Sequence, residues 1–126
     1  YGVSDVTIGN FLAIIGDANS DALAQSFYNQ SKLESIQLPY ACLVAPLRYE
    51  EIVQLGFLDL LRSDHAPFWR QGIPALMLTD TANFRYPFYH TQADTIDKLD
   101  FDFMTKVCKA TIAASIDFTS TPRALS

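Results

Sequence analysis

The chain has 126 residues, 49% of them hydrophobic and 18% charged, with a formal net charge of −5. That length holds one domain with a true core and falls short of two, and the composition excludes a disordered chain. The acidic balance (pI near 4.7) and the absence of a basic stripe exclude nucleic acid as an expected partner.

Taken in order, residues 1–10 read as a polar, glycine-containing lead-in loop. They show no charged or apolar region of a signal peptide, and Met does not stand first, which predicts a chain that starts inside something longer. Residues 11–15 (FLAII), stopped by Gly16 and Asp17, predict a strand covered on both faces. Asn19 or Ser20 is placed to cap a helix running to about Leu33, with Leu23, Phe27, Ala24 and Tyr28 toward the core and Asp21 at its positive end. A second buried strand is expected over residues 40–44, ended by Pro46. Residues 49–61 predict a short helix, then an irregular approach to Arg62.

Ser63 is placed to cap a short helix over residues 64–71, with Gly72 as its stop, and residues 73–78 (IPALML) predict a third buried strand. Residues 79–98 form a long loop with two turns, a length that in a compact domain usually marks function. Residues 101–118 predict an amphipathic helix whose inner row is Phe103, Val107, Ala110, Ala114 and Phe118. Cys42 and Cys108 have no neighbouring ligands and are expected to be free, buried thiols. Alternating strands and helices predict an α/β fold with a mostly parallel sheet, thin at three strands. The apolar runs break well before the roughly 20 residues of a membrane span, so a soluble chain is expected, its compartment left open.

Both histidines fall within residues 62–100. His90, in YHTQADT (89–95), reads either as a metal ligand or general base steadied by Asp94, or as a loop histidine with an ordinary hydrogen bond. Ser63, Asp64 and His65 are adjacent and so point apart, which argues against a nucleophilic triad. Asp64 and His65 then read as supporting or core polar groups. HExxH and CxxC are absent, and His65, His90 and one carboxylate are the most that spacing offers to a single metal.

The combination of SDHAPFW (63–69), GIPALMLTDTA (72–82) and YHTQADTIDKLD (89–100) closely resembles the C-terminal part of the di-zinc aminopeptidase family. That family includes bacterial leucyl-type aminopeptidases, glutamate carboxypeptidases and glutaminyl cyclases. NFLAIIGD (10–17) fits more loosely, so the resemblance covers nearly the whole chain. It implies a three-layer α/β/α zinc-exopeptidase-like fold, with residues 1–126 as the C-terminal portion of a single domain. It also implies that His90 is a ligand to one of two zinc ions, and that Asp64, His65 and Asp94 are scaffolding near the metal centre. Phe84, Arg85, Tyr86, Phe88 and Tyr89 become the wall of the substrate pocket; the four aromatics suit bulky uncharged N-terminal residues, while Arg85 reads either as selecting a carboxylate or as a solvated side chain.

The family's other ligands and its Glu base lie N-terminal to everything present, and Asp5 and Asp17 read as loop residues. The expected parent activity is removal of N-terminal residues from peptides by a metal-activated water, with this chain inactive alone. The expected partners are peptide substrate and either the N-terminal half or a second copy across an exposed face. The alternatives are a non-catalytic interaction module and a glutaminyl-cyclase-like enzyme. The cyclase branch usually has Trp where Tyr89 stands.

Overall fold

The run Leu-Ala-Ile-Ile offers no polar side chain to water, and it becomes the central strand β1 (Leu12–Gly16) of the computed structural model, which describes residues 10–122. β2 (Tyr40–Val44) pairs with it in parallel, Ile14 opposite Cys42. β3 (Leu76–Thr79) pairs antiparallel on the other side, Ile14 opposite Leu78. The strand order is β2-β1-β3. The expected mostly parallel sheet is thus corrected to a mixed one among the described residues. A single helix, α1 (Asp21–Ser31), returns the chain from β1 to β2 in the usual crossover. From β2 to β3 the path is broken into α2 (Tyr49–Gln54), a 3-10 turn at Leu58–Leu61 and α3 (Ala66–Arg70), and it delivers β3 from the opposite end.

The core lies on the sheet face that presents Leu12 and Ile14. There Phe27 of α1 and Ala110 and Ala114 of α5 (Phe101–Ser120) pack with Leu38 and Tyr40. Alanines on the inner row let α5 approach α1 closely. Asp100 accepts a hydrogen bond from the backbone N–H of Phe103 at 2.9 Å and so fixes where α5 begins. Among the described residues, no helix is long and apolar enough to cross a membrane.

Several expectations shift because only β1 is central. Leu43 of β2 is 53% exposed and every residue of β3 is half-exposed, so neither flanking strand is buried on both faces. In α1, Leu23 and Tyr28 are only half-buried, and the helix stops at Ser31. Ser20 holds the cap position of α1, but its hydroxyl donates to Asp17 instead of accepting from the helix. That hydroxyl also accepts from the backbone N–H of Ala75 at 3.1 Å, tying the approach to β3 onto the β1–α1 turn. Asp17, read as a loop residue, is fully buried in that turn. Gly16 is required there, since a Cβ would stand 3.0 Å from Cβ of Ser20 and 3.3 Å from Leu76. Both cysteines are free, but neither is buried as expected: Cys42 is half-buried on β2 and Cys108 is exposed on α5. Residues 1–9, with the lead-in loop and Asp5, lie outside the described residues.

Candidate active site

The polar side chains singled out by sequence lie on two segments flanking β3. The first ends in α3, whose cap position is His65 and not Ser63. Its helix is closed by Gly72 at φ +70°, a conformation free of Cβ strain only for glycine. The His65 ring is 5% exposed, and its Nε2 lies 2.6 Å from the carbonyl oxygen of Leu60. A carbonyl only accepts, so Nε2 carries the proton and donates. Nδ1 is then a bare acceptor, buried with no partner. The ring meets Trp69 edge to face at 4.4 Å, and the Trp69 indole N–H donates to Ala75 at 2.9 Å. Asp64 and Ser63 are exposed.

The second segment follows β3. Asp80 accepts from the backbone N–H of Ala82 at 2.9 Å, and Thr81 sits at φ +66°, opening the one-turn helix α4 (Ala82–Arg85) where a plain loop was expected. The Arg85 guanidinium lies over the Phe11 ring at 4.6 Å. Tyr86 donates from its hydroxyl to Asp94 at 3.1 Å and meets Phe88 edge to face at 5.5 Å. Partial burial, and then that hydrogen bond, hold the Tyr86 phenol above its ordinary range.

His90 is exposed at φ +57°, its ring stacked on that of Tyr89 with centroids 3.9 Å apart and planes 16° apart. A non-glycine residue in that region carries about 1–3 kcal/mol of strain and persists only where its surroundings impose it. Here the neighbours impose it. Both the backbone N–H and the hydroxyl of Thr91 donate to Phe88, at 3.0 and 2.7 Å, and the Tyr89 N–H donates to Tyr86 at 3.2 Å.

Two clefts adjoin this loop. One, of about 470 Å³ between β3 and α5, is lined by Arg62, Ser63, Asp80, Tyr89, Met104 and Cys108 among others. The other, of about 640 Å³, brings Arg85, Tyr86, Tyr89 and Asp94 together with Asp80 and Lys98. Phe84, 66% exposed, and Phe88, 38% exposed, lie outside both linings, as do His65, Asp64 and His90. Asp80, which lines both clefts, was not singled out by sequence. Its signal was an acidic residue directly after the strand, a usual place for chemistry.

Zinc requires converging donors. Among the described residues, no group of three or more His, Cys, Asp or Glu side chains is placed to hold a metal ion. The described residues therefore do not fit a complete metal site; His90 offers a single exposed donor.

An uncharacterised protein of Escherichia coli strain K12, YfbL, is 44% identical over 50 residues, which make up 40% of this chain and 16% of that protein. The chain thus matches well under two thirds of that relative's length. No solved structure matches it. A sequence model of peptidase family M28 matches residues 12–115, most of the chain, and the chain belongs to that family.

Proposed function

We propose that this chain is the C-terminal portion of a zinc-dependent aminopeptidase domain that removes bulky, uncharged N-terminal residues from peptides. The observation that carries the reading is the match to family M28 over residues 12–115. His90, exposed and held at φ +57° on the loop after β3, supports it. M28 peptidases are generally zinc-dependent, and His90 supplies one imidazole donor. The remaining donors, for two ions, and the general base come from outside the described residues. Asp94 steadies the loop through Tyr86, and Asp64 and His65 belong to the adjoining scaffold. The cleft holding Arg85, Tyr86 and Tyr89 receives the substrate's terminal side chain, and Phe84 and Phe88, on the same loop but outside its lining, reach the substrate only in the complete domain. In the complete domain the three described strands are part of a larger, mostly parallel sheet between two helical layers.

The test is zinc content and leucyl-anilide hydrolysis, measured on the 126-residue chain and on a longer polypeptide that contains it. The chain alone is expected to bind zinc weakly and to turn nothing over. The longer polypeptide is expected to bind about two zinc ions and to lose at least about 10²-fold in activity on His90→Ala. Full activity in that variant would remove His90 from the metal site. Turnover by the chain alone would remove the claim that its donors lie elsewhere.

A further inference from the structure

The two clefts beside the loop adjoin. Asp80, Ala82, Tyr89, Phe103 and Met104 line both the larger cleft of about 640 Å³ and the smaller one of about 470 Å³. The His90 ring stacks on Tyr89, one of these shared residues, so His90 stands beside the junction. An enzyme that releases an N-terminal residue must hold its substrate on both sides of the bond it cuts. With the larger cleft given to the terminal side chain, the part beyond the cut bond enters the smaller cleft.

The charges along this groove are ordered. Among the described residues, the cations lining it are Arg85 and Lys98 in the larger cleft and Arg62 in the smaller. Arg85, one of the sequence's candidates for a carboxylate, lies over the Phe11 ring at 4.6 Å. Lys98 donates to Thr95 at 2.8 Å and lies over the Phe88 ring at 4.9 Å. Arg62 is held more loosely. Its Nη1 meets Asp59 at 3.2 Å, but the two side chains are 50% and 60% exposed, and water screens a pair so open. A guanidinium carries five N–H donors in a fork that matches a carboxylate, so Arg62 can take one from a ligand at little cost. Asp80 stands at the junction. It accepts from the Ala82 N–H, and a carboxylate accepts several bonds at once. An acid at the junction and a cation beyond it match, in order, the ammonium and the carboxylate of a very short peptide.

We propose that Arg62 reads the substrate's C-terminal carboxylate, and that the preferred substrates are dipeptides with a bulky, uncharged first residue. Asp80 offers its carboxylate to their α-ammonium. The volume of the smaller cleft is toward the low end for a ligand pocket, roughly 300–1,000 Å³, and suits one residue better than a long chain. The inference rests on the aminopeptidase reading of the site and names the substrate class for it.

The test is made on the longer polypeptide that contains this chain. kcat and KM are measured for leucyl-leucine, for its C-terminal amide, which lacks the carboxylate, and for leucyl-anilide. The free dipeptide is expected to exceed its amide at least about tenfold in kcat/KM, through KM. Arg62→Gln, at an exposed position, is expected to remove that preference, and Arg62→Lys to restore part of it. Asp59→Asn breaks the same ion pair but keeps the guanidinium, and is expected to keep the preference. Equal rates for dipeptide and amide, with leucyl-anilide still cleaved, would overturn the role of Arg62 and leave the aminopeptidase reading standing. A preference that survives Arg62→Gln, or is lost equally in Asp59→Asn, would do the same. No turnover of any of the three substrates would overturn that reading, and this inference with it.

Discussion

The two histidines stand 25 positions apart in sequence and in opposite physical settings. His65 is enclosed, donates to Leu60, and leans on Trp69, which in turn donates to Ala75 ahead of β3. His90 is exposed on a strained turn, touching Tyr89 face to face. The first imidazole braces one segment against the next, whereas the second is displayed by a loop whose shape other residues hold. A titratable side chain near a strand end is not by that fact a ligand; burial and hydrogen bonding decide which role it has. If so, truncating the brace must cost far more stability than truncating the display. Trp69→Ala is expected to lower unfolding stability by about 3–5 kcal/mol, read from the urea midpoint. His65→Ala is expected to lose about 2 kcal/mol, since it removes both a hydrogen bond and a ring contact. A loss below about 0.5 kcal/mol at His65 would break the contrast.

The same contrast extends to the tyrosines and can be read through pH. Tyr40 lies in the core, where burial, and then the hydrogen bond with Tyr28, push its phenol up to about 12 from 10.0. On the loop, Tyr86 is raised too, but it is tied to Asp94 outside that core. Below pH 10 the Tyr40 phenol is protonated in folded and unfolded chains alike, and its contribution is fully present. Above that, the unfolded chain ionises first, so stability falls until pH passes about 12. Tyr40→Phe is expected to flatten this alkaline decline, measured as urea midpoints across that window. A decline equally steep in the variant would show that Tyr40 does not drive it.

The elements were legible where a pattern has one physical cause. An unbroken apolar run stopped by Gly16 reads as the central strand, and Ala110 and Ala114 at helical spacing read as the face of α5 that meets α1. Strand direction was not legible, because it depends on where the broken path through α2 and α3 delivers residue 76. Burial of Leu43 and of β3 was overestimated for a related reason: apolar content shows what a strand can bury, and position in the sheet shows what it does bury. At the site, the motif around residues 63–69 reads as support and not as ligand, but it does not show what His65 supports. What His65 braces depends on its contact with Leu60, a residue of the 3-10 turn Leu58–Leu61.

The smallest expected effect bears most directly on His90. If Thr91, Phe88 and Tyr86 hold the loop, the imidazole adds little to its stability, and its left-handed backbone is a burden that glycine does not share. His90→Gly is then expected to change unfolding stability by no more than about 1 kcal/mol, in the stabilising direction if strain relief outweighs the lost stacking on Tyr89. His90→Val, β-branched and so worst suited to φ +57°, is expected to lose about 1–2 kcal/mol. Urea midpoints of the two variants measure the backbone and the ring separately. A glycine variant destabilised as strongly as the valine one would mean that the ring itself holds the loop. His90 would then be a second brace like His65, and its claim to be a metal donor would rest on sequence resemblance alone.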